Sequence, residues 1–559
     1  MIGSNRLSCP ILKLIAAAAV AIAPLHLHAA QVRLDRADPT ITEQTLPQLA
    51  PENRNAPQDS QVEAPVATVG SAQQATGIVA AVSVTGAQGI DPSSYADVIA
   101  SVVGRELTRS DLRNLAGAVA SVVRAQGYPF ATASIEPQSM SNGVLRVSVD
   151  QGRIDAVRVI GARNATADAL LVQMLAARMP VRQATLERAL LLVGDIPGVR
   201  VKDTRYLRQD GFGILLVTIE RDRASAYVQV DNRGSDEVGP VRSTALASLR
   251  GLASDGDELG LIVANTPVQP DEFAFARLRY SAPIDAAGSV LSASTSFGRS
   301  NPGALLAALN VVGRSTDVAV AYSRPLLRRR EHSVWSSFEF RAVSIEQMLA
   351  GRLLRNDRLA TLTGSLNGFA SVAGGAVRGD ISVAAGLPLS GVTRQGDPRT
   401  SRADGDGRFV TVGYQLEWTK KVARPLTLVL SSVGQAASRP LLATAEIGLG
   451  GPGYGRGYDY AERTGDKGIM GSAELRLDTG RVLRGVVDRT QLYGFVDGGT
   501  VGNLRAGRGG GTLASTGFGL RAGTGRWDGM VELALPLNAD RFDTRDRSPR
   551  PSLRLSRSF

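Results

Sequence analysis

The chain holds 559 residues, enough for two or three folding units, and carries a net charge of +11, almost all of it from arginine. Its one cysteine is Cys9, and two of its three histidines, His26 and His28, lie within the first thirty residues; the remainder of the chain is therefore read without disulfides, a histidine-built metal site or a catalytic triad. Nucleic-acid binding is one reading of that charge, but the arginines are dispersed and form no single patch, and a charged, water-filled lumen or a lipopolysaccharide-facing rim explains a dispersed excess equally well.

Residues 1–30 read as a signal peptide: Arg6 and Lys13 give a basic start, Ile11 to Ala23 an apolar run, and Ala29 and Ala30 a small-residue cleavage point. Residues 31–76 read as a periplasmic linker, because Pro39, Pro47, Pro51, Pro57 and Pro65 interrupt any long helix. A short helix around Ile41–Leu49 is the one element weighed there. Residues 77–150 then alternate in kind. Gly77–Thr85 is strand-like, Ser94–Val103 and Asp111–Ala125 are helical with Ser110 as the expected cap, and strands follow at Phe130–Glu136 and Val144–Val149. Residues 151–220 repeat this order, with a strand at Ile154–Ile160, helices at Thr166–Arg178 and Ala184–Val193, and strands at Val199–Arg205 and Gly213–Glu220. Two similar α+β domains in tandem are expected.

From residue 221 to Phe559 the helical period disappears and alternation takes over. Val410, Val412, Tyr414, Leu416 and Trp418 fall on one face, with Thr411, Gly413, Gln415, Glu417 and Thr419 on the other. Ile469, Ala473, Leu475 and Leu477 oppose Ser472, Glu474, Arg476 and Asp478. A stretch this long suits a membrane all-β barrel of about sixteen antiparallel strands. Connections fall into two classes, tight at Ser254–Asp257, Lys420–Arg424 and Thr524–Arg526, and long at Leu389–Gly407, Ala437–Lys467 and Gly499–Gly511, as in bacterial outer-membrane barrels. Leu553, Leu555 and the terminal Phe559 alternate with Ser552, Arg554 and Ser556, and Arg557 interrupts the apolar face. Asp404-Gly-Asp406-Gly looks like the start of a calcium loop but lacks the remaining ligands, so a solvated turn is expected there.

Two stretches and one shorter match carry a specific resemblance. Gly127-Tyr-Pro-Phe-Ala-Thr-Ala-Ser-Ile-Glu-Pro-Gln, followed by Gly143-Val-Leu-Arg-Val-Ser-Val-Asp-Gln-Gly-Arg-Ile, resembles the end of the first POTRA domain of two-partner secretion transporters of the haemolysin-activator type. Gly450-Gly-Pro-Gly-Tyr-Gly-Arg-Gly-Tyr-Asp-Tyr resembles the sixth outer loop of that family, with Arg456, Gly457 and Tyr458 as its triplet; Gly455 stands where a branched apolar residue is usual. Phe495-Val-Asp-Gly-Gly resembles the family's acidic strand motif, with Asp497 as the acid.

The resemblance implies POTRA domains at 77–150 and 151–220 and a barrel at 221–559, with about eleven strands before loop six and about five after. It implies that loop six folds into the lumen, where Arg456 pairs with Asp497; a bidentate grip would fix orientation as well as position. Phe559 would be the barrel's C-terminal signal. The implied protein is a pore in the bacterial outer membrane with its N-terminal domains in the periplasm, and not an enzyme. It would take a secreted partner exoprotein, such as an adhesin or haemolysin, and move it to the cell surface as loop six rearranges. Outer-membrane lipid and lipopolysaccharide, and the barrel assembly machinery during biogenesis, are the other partners implied. No cofactor, metal or nucleic acid is expected. A barrel-assembly factor of the same superfamily and a general solute porin are the alternatives.

Overall fold

The computed structural model describes residues 38–44, 46, 62–63, 68–69, 77–139, 142–176, 179–209, 211–481 and 487–559. The expected signal peptide lies outside the described residues. Helix α1 (Pro39–Glu43) comes first, followed by two very short strands, β1 (Val62–Glu63) and β2 (Thr68–Val69).

The first module comprises β3 (Ala81–Thr85), a 3-10 turn at Pro92–Tyr95, α2 (Ala96–Ala100), α3 (Arg109–Ala125), β4 (Thr132–Ile135) and β5 (Val144–Asp150). The second comprises β6 (Ala156–Gly161), α4 (Ala165–Leu175), α5 (Gln183–Gly194), β7 (Val199–Gln209) and β8 (Phe212–Arg221). Both follow the expected order. In α3, Leu112, Leu115, Ala116, Val119, Ala120 and Val123 recur at three- and four-residue spacing and bury one face against the sheet. The cap of α3 is Thr108 and not Ser110. Thr108 Oγ1 accepts from the Asp111 N–H at 3.2 Å, while the Asp111 carboxylate accepts from the Thr108 N–H at 2.8 Å. This reciprocal capping box satisfies two donors at once, which Ser110 inside the first turn cannot do.

In each module the last strand lies between its two partners, antiparallel to one and parallel to the other. The linker completes both sheets. β2 adds in parallel to β4, and β1 adds in parallel to β7, so one edge of each sheet is filled by the chain itself. The Gly127–Phe130 motif makes the joint between the modules. Phe130, fully buried, stacks on Tyr206 with ring centres 4.1 Å apart, and the Gly127 carbonyl accepts from the Gln183 N–H at 2.8 Å. A Cβ on Gly152 would lie 2.6 Å from Phe130 Cβ, so the joint requires glycine there.

Eleven barrel strands come next: β9 (Ala224–Asp231), β10 (Arg242–Arg250), β11 (Glu258–Asn265), β12 (Phe273–Pro283), β13 (Val290–Ser300), β14 (Val311–Arg328), β15 (His332–Leu349), β16 (Arg352–Val372), β17 (Gly375–Gly386), β18 (Val410–Ala423) and β19 (Leu426–Ala437). A long loop follows, carrying the ribbon β20 (Ile447–Leu449) and β21 (Arg463–Gly465). Five more strands complete the wall: β22 (Lys467–Asp478), β23 (Arg489–Gly502), β24 (Gly511–Thr524), β25 (Trp527–Pro536) and β26 (Arg550–Ser558). All neighbours are antiparallel, and β26 closes on β9 from Arg554–Asp231 to Ser558–Tyr227. The sixteen strands divide as expected, eleven before the loop and five after.

Alternation sets the two faces. On β26, Leu553 and Leu555 are 52% and 53% exposed outside, while Ser552 and Ser556 are 2% and 5% exposed inside. Arg557, expected to break that apolar face, lays its guanidinium over Trp527 and Phe559 at 5.0 and 4.5 Å, covering both rings while its charge reaches the rim. No helix among the described residues is long and apolar enough to cross a membrane. The short connections gather at one rim and the loops 387–409, 438–466, 503–510 and 537–549 at the other. One connection departs from this rule: Ala350–Gly351 is a two-residue turn on the long-loop rim.

The second module is fixed to the short-turn rim. Arg328, almost fully buried, makes two bonds of 2.8 Å to Asp195. The Asp255 carboxylate accepts from the Ala165 N–H at 2.9 Å and pairs with Arg221 at 2.6 Å. Helix α1 lies inside the barrel against β12, β13 and β14, and not in a periplasmic linker. It also starts earlier than expected. Asp38 caps it by accepting from the Thr40 N–H at 2.9 Å, and Pro39 occupies the first helical position, where a missing N–H costs nothing.

Candidate functional site

The loop between β19 and β22 folds back into the lumen, and Arg456 sits at its tip. The side chain reaches β22, β23 and β25 at once. Nη1 lies 2.7 Å from Glu474 and 3.3 Å from Glu532, and Nε lies 3.1 Å from Asp497. Its flat face stacks on Phe495, 4.1 Å from the ring centre. One guanidinium therefore meets three carboxylates from three different strands.

The contact with Asp497 is not the bidentate grip expected from the sequence. Arg456 Nε and Asp497 Oδ2 are close but misaligned, and neither atom makes a hydrogen bond. The Asp497 carboxylate instead reads the loop's backbone: Oδ1 accepts from the N–H groups of Gly455 at 3.0 Å and Arg456 at 3.3 Å, and from the Ser515 hydroxyl. Gly455 has φ +78, a left-handed conformation that turns its N–H towards the acid. A branched residue would resist that conformation, which explains the glycine at this position.

The other two residues of the triplet seat the loop against the wall. A Cβ on Gly457 would lie 3.0 Å from the Pro536 nitrogen and 3.2 Å from Ser515 Cβ. Tyr458 is fully buried; its hydroxyl lies 3.1 Å from the Ala539 carbonyl and 3.2 Å from Asn538 Oδ1. Beyond the triplet, Asp459 pairs with Arg550, and Glu462 accepts from the Phe542 N–H at 3.0 Å. Phe559 is remote from this cluster: its ring faces outward and its N–H donates to the Ala226 carbonyl at 2.8 Å.

Glu474 and Glu532 are missing from the sequence reading as site residues. Glu474 binds Arg456, Arg476 and Arg521; Glu532 binds Arg456, Arg233 and the Tyr493 hydroxyl. Alternation had already placed Glu474 on the polar face of β22. Its partners depend on inter-strand register, which periodicity does not supply.

The opposite wall holds a second cluster. Glu43 of α1 pairs with Arg277 on β12 and lies 3.6 Å from Arg341 on β15, while Asp317 on β14 pairs with Arg341. Leu46 packs on Val238, Ile262, Phe273 and Phe275. Helix and loop six touch where Thr40 meets Thr444 at 2.9 Å and Tyr460 donates to Gln44 at 2.8 Å. Asp404 and Asp406 form no solvated turn. Asp404 pairs with Arg402, and Asp406 with Arg408 and Arg439. Among the described residues no group of three or more His, Cys, Asp or Glu is placed to hold a metal.

Comparison with known proteins gives this arrangement a family. The sequence model for haemolysin secretion/activation proteins of the ShlB/FhaC/HecB type matches residues 213–522, more than half of the chain. The chain belongs to the haemolysin secretion/activation family. A ShlB-type POTRA domain matches residues 78–152. The protein is an outer-membrane transporter of two-partner secretion, with its POTRA domains in the periplasm and the long loops outside. The heme/hemopexin transporter protein HuxB of Haemophilus influenzae strain 86-028NP is 22% identical over 396 residues, 70% of each chain. Among solved structures, CdiB from Escherichia coli matches with a TM-score of 0.68 at 17% identity over 100% of both chains. CdiB from Acinetobacter baumannii gives 0.61 at 16%, covering 99% of this chain and 100% of that one. BamA from Haemophilus ducreyi lacking POTRA domains 1–3 gives 0.54 at 13%, covering 87% and 100%. These structural likenesses concern the fold.

Proposed function

We propose that the partner exoprotein enters unfolded from the periplasm, docks on the POTRA sheets, and crosses the barrel through the half of the lumen now held by α1. The observation that carries this reading is the division of the lumen. Loop six is fastened to β22–β25 by three carboxylates and a buried tyrosine, whereas α1, five residues long, is held by Glu43 to Arg277 and Arg341 and by Thr40 and Gln44 to loop six itself. In this reading the shorter element moves first. The family resemblance implied rearrangement of loop six; in this reading loop six follows the departure of α1.

The second POTRA domain lies beneath the same half of the barrel. Between them a cavity of about 760 Å³ opens among Leu170, Ile196, Leu252, Ile284, Arg279 and Trp335, which gives an extended chain a way in. An extended segment can add to a sheet edge by backbone hydrogen bonds, whatever its sequence. Among the described residues β3 and β6 are the edges without a neighbouring strand, while β4 and β7 are covered by the linker strands. Translocation needs no reaction at this site, and the chain acts as a pore and not as an enzyme. The wall faces lipid and lipopolysaccharide, and the barrel is inserted by the assembly machinery of the outer membrane.

Arg456→Ala or Asp497→Ala is expected to leave a folded, inserted barrel and to impair export; normal export from both variants would remove the role given to that pair. The test of the function compares proteins in medium and periplasm with and without this gene. A protein found outside only when the gene is present supports export. Unchanged secretion with failing assembly of other barrels would replace export by an assembly role.

A further inference from the structure

Another buried arginine joins the outer loops. Arg402, in the outer loop between β17 and β18, is 7% exposed. Its guanidinium lies 2.7 Å from Asp404 in its own loop, and 2.9 Å from both Glu446 and Asp466 in loop six. It also donates to Asn503 Oδ1 at 3.2 Å and to the Leu504 carbonyl at 2.7 Å in the loop between β23 and β24. Asp466 is fully buried and binds the same three loops together: besides Arg402 it accepts from the Leu441 N–H at 2.7 Å and the Leu504 N–H at 2.6 Å. Gly507 leaves the room this side chain needs, since a Cβ there would collide with Arg402 Nη2.

Two of these loops share a small core with Leu359 of β16. Leu359, Phe409, Leu441 and Leu442 pack together, and the Ala443 N–H donates to Ser401 Oγ at 3.0 Å. The loops thus form a folded cover at the outer rim. Arg402 and Asp466 tie its three members together, with further links in the Asp406 N–H to Pro440 carbonyl bond at 3.1 Å, the Thr464 N–H to Gly509 carbonyl bond at 3.2 Å and the Asp406–Arg439 pair. Arg402 reaches all three loops through charge-assisted bonds, the strong kind, so its loss weakens every seam it joins at once.

We propose that Arg402 is a positioning residue for the exit step: it clasps an outer lid that must part before the exported chain can leave. The proposal rests on the export reading, and its test separates the two. Cys9 is the only cysteine of the chain, so introduced thiols report alone once the signal has been removed. The probe is the set of proteins that disappears from the medium when the gene is deleted; an empty set would end the export reading and leave the lid untouched by that result.

With Ser401→Cys and Ala443→Cys joined as a disulfide across the lid, export of that set is expected to fall to background, and to return on mild reduction. Export at the wild-type level with the bond intact would overturn the proposal. Labelling gives an independent arm. Ala443→Cys alone should resist a membrane-impermeant maleimide on intact cells, become reactive when Arg402→Gln is added, and be partly protected again by Arg402→Lys. Equal protection with arginine and glutamine at 402, in barrels that remain folded in gels, would show that Arg402 clasps nothing. If the disulfide pair fails to export even when reduced, the labelling result decides by itself.

Discussion

At the scale of single residues, the loop-six tip combines two kinds of hold. Asp497 binds backbone, and Glu474 and Glu532 bind the guanidinium. Removing one member of a buried ion pair leaves the others uncompensated and costs about 3–5 kcal/mol. Glu474→Gln is therefore expected to release Arg476 and Arg521 as well as Arg456, and to loosen loop six more than a change at a residue with one partner; hydrogen exchange over 450–466 measures it. Gly457→Ala should act by crowding, because its Cβ would press on Pro536 and Ser515. The cost expected for overpacking of this kind is about 1–3 kcal/mol, read as a lower melting point with reduced export. In the first POTRA domain, the Thr108 hydroxyl and N–H hold the Asp111 carboxyl below the ordinary aspartate range. That contribution is present above the carboxyl's unfolded pKa and is lost as pH falls through its lowered folded value. Amide protection in the first turn of α3 should drop on acidification in that window, and Asp111→Asn should flatten the response.

At the scale of elements, legibility followed length. The strands read in detail, β18, β22 and β26, showed their two faces in the sequence, and β22 already displayed Glu474 on the water side. The POTRA helices were visible because α3 repeats its apolar residues over four turns. Helix α1 was weighed only as a short helix around Ile41–Leu49, and its start and its place in the lumen were not legible, for a physical reason. Five residues form no stable helix on their own, and the contacts that hold it belong to strands more than two hundred residues away. β1 and β2 were hidden in the same way, since each is two residues long and exists only through a parallel partner. The pairing of Arg456 with Asp497 was placed by resemblance, and its geometry was misjudged because a misaligned Nε and a backbone-reading carboxylate leave no trace in composition. If α1 occupies the lumen as described, deletion of residues 38–46 should raise the entry of large antibiotics through the outer membrane while leaving the barrel inserted. Unchanged sensitivity would mean that loop six alone seals it.

At the scale of the whole molecule, the second POTRA domain and the barrel are joined by a nearly buried pair, Arg328 with Asp195, whose guanidinium also lies 5.3 Å over Trp335. Arg328→Met should free the domain from the rim, and spin-label distances between α5 and the β14–β15 turn should broaden. A distribution as narrow as the wild type's would show that Asp255 and its partners suffice. The same arrangement has a consequence for biogenesis. Glu43 and its partner Arg277 are 234 residues apart, and Gln44 and Tyr460 are 416 apart. The ordering cost of such long closures falls due before their contacts can repay it. The seat of α1 does not exist until β12–β15 stand side by side, although α1 leaves the ribosome long before them. The half of the lumen that α1 fills therefore stays open until those strands have assembled, and the N-terminal segment takes its place only afterwards.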